Sequence, residues 1–109
     1  MDPMSNHDTW ATLFECLKAR PRRRLLTGLT AYEPPNRVHF TELRGDESAP
    51  GTPVHAEYIH IHLPKLAAAG YIRWNDQTHE ISRGPRFREV EPFIELVQTH
   101  SEQLPDGWV

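Results

Sequence analysis

Cysteine is nearly absent: Cys16 is the only one in 109 residues, so no disulfide can form within the chain. Its neighbours Leu13 and Leu17 at helical spacing point to a buried, inert thiol rather than a reactive one. Lysine is scarce too, with two lysines against ten arginines, a bias that suits an arginine-rich genome or a salty cytoplasm. No stretch approaches the roughly 20 uninterrupted apolar residues needed to cross a bilayer. The opening Met1-Asp2-Pro3-Met4-Ser5-Asn6-His7 lacks both the basic region and the apolar core of a secretion signal. A soluble cytoplasmic protein without a membrane partner is therefore expected. There is no glycine-rich phosphate loop, no nucleophile with a base at motif spacing and no carboxylate pair set in an apolar run, so an enzyme is not expected and no cofactor is called for. His39, His55, His79 and His100 show no metal-ligand spacing, and His60 and His62 lie about 200° apart on a helix and cannot chelate one ion together. No metal is expected, and a zinc or nickel site is left only as a minority alternative that would need residues from different elements.

What is present fits one compact domain over residues 7–101, with tails at 1–6 and 102–109. A net charge of −3, from 15 acidic and 12 basic residues, argues weakly against the basic footprint of a nucleic-acid binder. The distribution says more than the sum, because Lys18, Arg20, Arg22, Arg23 and Arg24 crowd a single seven-residue run free of acids.

The most informative stretch is His60-Ile61-His62-Leu63-Pro64-Lys65-Leu66-Ala67-Ala68-Ala69-Gly70-Tyr71-Ile72. Ile59, Leu63, Leu66 and Ala67 step as one face of a helix, Gly70 supplies a left-handed C-terminal position, and Ile72 and Trp74 then alternate as in a strand. That junction reads as a recognition helix meeting its wing, and the expected fold is mainly α with a small β-hairpin, a winged helix-turn-helix with flanking N- and C-terminal helices.

Around that junction, residues 1–6 read as a frayed end. Asp8 or Thr9 caps a first helix carrying Trp10, Leu13, Phe14 and Leu17 on one face. Pro21 opens a second helix that buries Leu25, Leu26 and Leu29, and Glu33-Pro34-Pro35-Asn36 ends it. Val38 and Phe40 suggest a short strand, and Thr41 is placed to cap a brief third helix over Glu42-Leu43-Arg44. Residues 45–52 read as a solvated loop, longer than the usual turn between the two helices of this motif. Thr52 then caps and Pro53 begins the recognition helix, residues 53–69, with a kink expected at the internal Pro64. Residues 71–75 and 78–82 form the wing around Asp76-Gln77. Phe87, Val90, Phe93, Ile94, Leu96 and Val97 make a last helix too apolar for one narrow stripe, with Pro92 as a kink or a true start. Leu104 to Val109 form a turn able to fold Trp108 back on the body.

Arg22-Arg23-Arg24-Leu25-Leu26, His62-Leu63-Pro64-Lys65-Leu66 and Ala69-Gly70-Tyr71-Ile72 together resemble the small ArsR-like winged-helix proteins common in haloarchaea, over roughly residues 9–82. The resemblance implies a DNA-binding homodimer and supplies no target gene. The chain departs from the metal-sensing branch, having no cysteine pair near the recognition helix.

Candidate DNA contacts follow. Tyr58, His60, Ile61 and Lys65 lie off the core face of the recognition helix, with Ile61 suited to a thymine methyl and Lys65 to a phosphate. Glu57 on the same face counts against DNA. Arg23, Arg24 and Arg44 are further basic candidates, while Arg22 lays its stem on the core and Arg23 and Arg24 point outward. Arg73, Asn75, Gln77 and Thr78 belong to the wing, although turn chemistry alone accounts for Asn75-Asp76. His62 faces the second helix and satisfies a buried hydrogen bond. Trp10, Leu13, Phe93, Ile94, Leu96 and Val97 are the expected dimer interface. The alternative is a winged-helix adaptor that binds protein and no DNA.

Overall fold

The computed structural model describes residues 3–44 and 49–108. Two helices, α1 (Pro3–Leu17) and α2 (Arg20–Leu29), lead to a short strand β1 (Val38–His39) and a 3-10 turn (Phe40–Glu42). A helical run follows, made of α3 (Pro53–Glu57), a π turn (Tyr58–His62) and α4 (Leu63–Ala68). Strands β2 (Ile72–Trp74) and β3 (Glu80–Arg83), helix α5 (Phe87–Thr99) and a last 3-10 turn (Ser101–Gln103) complete the order. The chain is thus mainly helical with one small antiparallel sheet, strand order β1-β3-β2.

The leucines that define the helical patterns meet in one core. Leu13 and Leu17 of α1, Leu25, Leu26 and Leu29 of α2, Leu63 and Leu66 of α4, Val38, Ile72 and Ile81 of the sheet and Val90 and Ile94 of α5 are all buried there. Cys16 joins them, and its burial raises the thiol pKa, as an inert cysteine should behave.

Helix α1 starts at Pro3, so Asp8 and Thr9 sit inside it rather than at its cap, and most of the stretch expected to fray is helical. Met1 and Asp2 lie outside the described residues. α2 begins with proline in its first turn, where the missing N–H is no loss. The third helix expected over 42–44 is instead the 3-10 turn from Phe40, and its cap is His39, whose Nδ1 accepts the Thr41 N–H at 3.3 Å. Phe40 is fully buried, which pulls the turn back by two residues and converts the end of β1 directly into it. Of the loop expected over 45–52, residues 45–48, Gly45 included, lie outside the described residues.

Thr52 Oγ1 accepts the His55 N–H at 3.2 Å and Pro53 follows, so the cap expected for the long helix is in place. Around Pro64, where a kink is expected, the helical run changes form: a π turn covers Tyr58–His62, with the Leu63 N–H reaching the Tyr58 carbonyl, and Pro64 stands in the first turn of α4. Gly70 ends the run at φ +83°: the Tyr71 N–H bonds to the Leu66 carbonyl at 3.1 Å and the Gly70 N–H to Ala67 at 3.0 Å, the Schellman arrangement. A Cβ at Gly70 would also lie 2.9 Å from Cδ of Arg86.

The strands of the hairpin are shorter than residues 71–75 and 78–82, because the turn takes Asn75 to His79. Asn75 Oδ1 accepts the Gln77 and Thr78 N–H groups at 2.9 and 3.1 Å, and His79 adopts φ +62°. Pro92 lies within α5 and is not its start.

Candidate nucleic-acid interface

Arg22 and Arg23, at the centre of the basic run, turn inward, while Lys18 and Arg20 stay exposed. The α1 helix ends with unpaired carbonyls, and the arginines at the start of α2 lie close enough to take them. Arg22, only 3% exposed, donates from Nε to the Cys16 carbonyl at 2.9 Å and from Nη2 to the Glu15 carbonyl at 2.7 Å. Its remaining nitrogen Nη1 donates to His62 Nδ1 at 3.0 Å, which ties α2 to the π turn and gives His62 the buried hydrogen bond expected of it. Arg23 does not point outward. It donates to the Leu17 carbonyl at 2.8 Å and to the carbonyls of Gly107 and Trp108, with its guanidinium 5.3 Å from the Trp108 ring centre. Burial, and Arg20 beside it, hold its pKa below the usual guanidinium value. Arg24 is half-buried with an interaction of its own. Arg44 donates to His55 Nδ1 and lies 5.8 Å from the Phe40 ring centre, bracing α3 against the 3-10 turn. Sequence shows where the positive charge is but not the helix ends it must satisfy.

On the long helix, Tyr58 is the clearest departure. It is 1% exposed, its ring packed 5.9 Å from that of Phe40 and 5.7 Å from that of His62, so it cannot meet a base edge. The π turn feeds an extra residue into the buried stripe, and Tyr58 and His62 enter the core beside the expected Leu63 and Leu66. His60 and Ile61 remain outside, Ile61 being 48% exposed. Glu57 is exposed, with Oε2 3.9 Å from His62 Nε2. Lys65 faces outward but holds Glu15 at 3.3 Å.

His62 is the electrostatic hinge of this region. A guanidinium N–H can only donate, so Nδ1 must accept and the imidazole is neutral with its proton on Nε2. That Nε2 is buried and has no hydrogen-bond partner among the described residues. Burial, reinforced by the Arg22 charge and opposed by Glu57, lowers the His62 pKa.

In the hairpin, Gln77 is exposed at the tip, Asn75 is committed to the turn through its side-chain oxygen, and Arg73 is exposed on the outer face. Register brings in two residues that strand patterns alone did not single out. Arg73 pairs with Ser82, while Val38 pairs with Ile81 and His39 with Glu80, so one more step sets Arg37 beside Ser82.

The expected dimer face divides. Leu13, Ile94 and Val97 are buried in the molecule's own core, where α1 and α5 pack on α2, and cannot meet a second copy. Trp10 and Leu96 are each 56% exposed, and Phe14, expected on the core side of α1, is 55% exposed. Trp10 stacks on Phe14 at 5.7 Å, and Phe14 meets the partly buried Phe93 edge-on at 6.3 Å. An apolar ridge therefore runs across α1 and α5. No helix among the described residues is long and apolar enough to cross a membrane. No family model, curated protein or solved structure matches the chain.

Proposed function

We propose that this chain is a winged-helix protein that binds double-stranded DNA as a homodimer, with the helix over residues 53–68 as the reading element and the β2–β3 hairpin as the wing. The observation that carries this reading is the exposed stretch on the outer face of that helix. His60 and Ile61 point to solvent from a segment anchored by Leu63, Leu66 and Gly70, directly ahead of a hairpin whose outer face bears Arg73. His60 suits a base edge or phosphate and Ile61 a thymine methyl. The ridge of Trp10, Phe14 and Phe93, with Leu96 exposed on the same helix as Phe93, is an apolar patch that a second copy could cover, and a two-fold pair would present two helices to successive grooves about 34 Å apart.

A second reading, a protein-binding adaptor, draws on the same side chains. Arg20, Arg22 and Arg23 are spent on the end of α1 and the C-terminal segment, and the single lysine on the outer helix face is paired with Glu15 beside an acidic Glu57. Binding of the purified protein to its own upstream region, measured against a scrambled duplex over a salt series, separates the two. The DNA reading expects sequence preference and a roughly tenfold loss in His60→Ala or Ile61→Ala, equivalent to a base contact. Equal affinity for both duplexes, unchanged by either substitution, would sink the sequence-reading role and favour the adaptor. Light scattering tests the pairing: Trp10→Ala with Phe14→Ala should give the monomer mass where the parent gives twice it.

A further inference from the structure

Most arginines of this molecule are consumed by its own fold. Arg22 and Arg23 close the end of α1, Arg83 donates to the Thr30 carbonyl at 2.8 Å beyond α2, and Arg86 grips Glu89 at 2.9 Å. Two are not, Arg73 on β2 and Arg37 just ahead of β1. Arg37 is exposed and makes no hydrogen bond or ion pair among the described residues, and Arg73 has only a 3.5 Å contact to the Arg83 carbonyl. Register sets both beside Ser82, on opposite sides of the central strand. Val38, Ile81 and Ile72 in the alternate positions are buried, so this row belongs to the outer face. With adjacent strands about 4.8 Å apart, the two arginine Cα atoms stand on the order of 10 Å apart, a span that two guanidinium arms can close over a single ligand. A concavity of about 210 Å³ lies there, lined by Arg37, Arg73, Ser82, Asn75 and Glu80 among others.

We propose that Arg37, Ser82 and Arg73 form a site for a phosphate group on the outer face of the sheet. Each guanidinium offers paired N–H donors whose geometry matches phosphate oxygens, and the serine hydroxyl adds a donor between them. Glu80 in the same concavity opposes the anion and moderates the affinity. The phosphate has two sources, a phosphodiester of duplex flanking the reading helix or free phosphate. Only the first rests on the DNA reading above.

The test uses the full chain and the double variant Arg37→Gln/Arg73→Gln, whose positions are exposed and outside the core. With duplex, the site predicts a roughly tenfold weaker variant and a plot of log affinity against log salt flatter by about 0.9, the signature of one phosphate left unneutralised. Glu80→Gln should bind more tightly than the parent. Duplex binding that is identical in affinity and slope for parent and double variant overturns the site. If the parent binds no duplex at all, titration with inorganic phosphate decides. Saturable shifts of the Ser82 amide resonance that vanish in the double variant uphold the site while the DNA reading falls, and absence of such shifts removes the site as well.

Discussion

Arg22 reaches three acceptors with one planar group, and no lysine could reproduce that fork. Arg22→Ala would leave the Glu15 and Cys16 carbonyls and His62 Nδ1 without their donor in a buried site. The expected destabilisation is about 3 kcal/mol, on the order of 10 °C in thermal midpoint, and Arg22→Lys should recover little of it. His62 gives the same region a pH dependence. Its folded pKa lies below the ordinary value of about 6.5, so the unfolded chain takes up the proton first on acidification. The stability held by its neutral form is complete above about pH 6.5 and is lost as pH falls from there through the folded pKa. Urea midpoints between pH 7 and 5 should decline in the parent, and the decline should be shallower in His62→Gln, whose carbonyl can still accept from Arg22. The Arg22 contact to His62 joins residues 40 positions apart, so a one-dimensional reading could assign each a plausible side but could not pair them. Arg23 shows the limit more sharply. Its guanidinium bonds carbonyls of residues 107 and 108, for which the sequence indicates no docking place.

The long helix is legible at both ends and obscure in its middle. Thr52-Pro53 and Ala69-Gly70 are local signals, since a cap needs only a side chain and its own next turn. A helical wheel centred on Ile59 and Leu63 assumes a constant 3.6-residue pitch, and the π turn breaks that assumption at Tyr58–His62. Tyr58 therefore moves from the expected contact face into the ring cluster around Phe40. Gly70→Ala meets both a left-handed φ and the Arg86 side chain, and a loss of about 1–2 kcal/mol is expected. Denaturant titration of that variant should show a lower midpoint with an unchanged slope, since the surface exposed on unfolding stays the same. The hairpin follows the same logic: its turn is readable from Asn75-Asp76, whereas the partnership of Arg37 with Ser82 needs the register of a third strand that supplies only two residues.

Across the whole molecule, α2 is the hub to which the remote parts attach. α1 closes on it through Arg22 and Arg23, Arg83 secures the sheet to its far end, and the C-terminal segment lies along it with the Trp108 indole N–H 3.4 Å from Thr27 Oγ1. Gly107 permits that docking at φ +93°, with Arg20 donating to its carbonyl at 3.4 Å. Trp108→Ala should lower stability by about 1–2 kcal/mol through loss of ring packing on Arg23, measured by thermal melting. Residues 102–109, counted as a tail by composition, thus include a docked strap over 107–108, because the sequence carries no local sign of which distant arginine will receive it. The three tryptophans fall one to each outlying district of this hub: Trp10 on the bare ridge, Trp74 stacked on His79 in the hairpin, and Trp108 within the strap. Chains keeping a single indole would consequently glow from one known address each. On the proposed function, self-association should blue-shift the first and duplex should perturb the second, and release of the strap should report through the third.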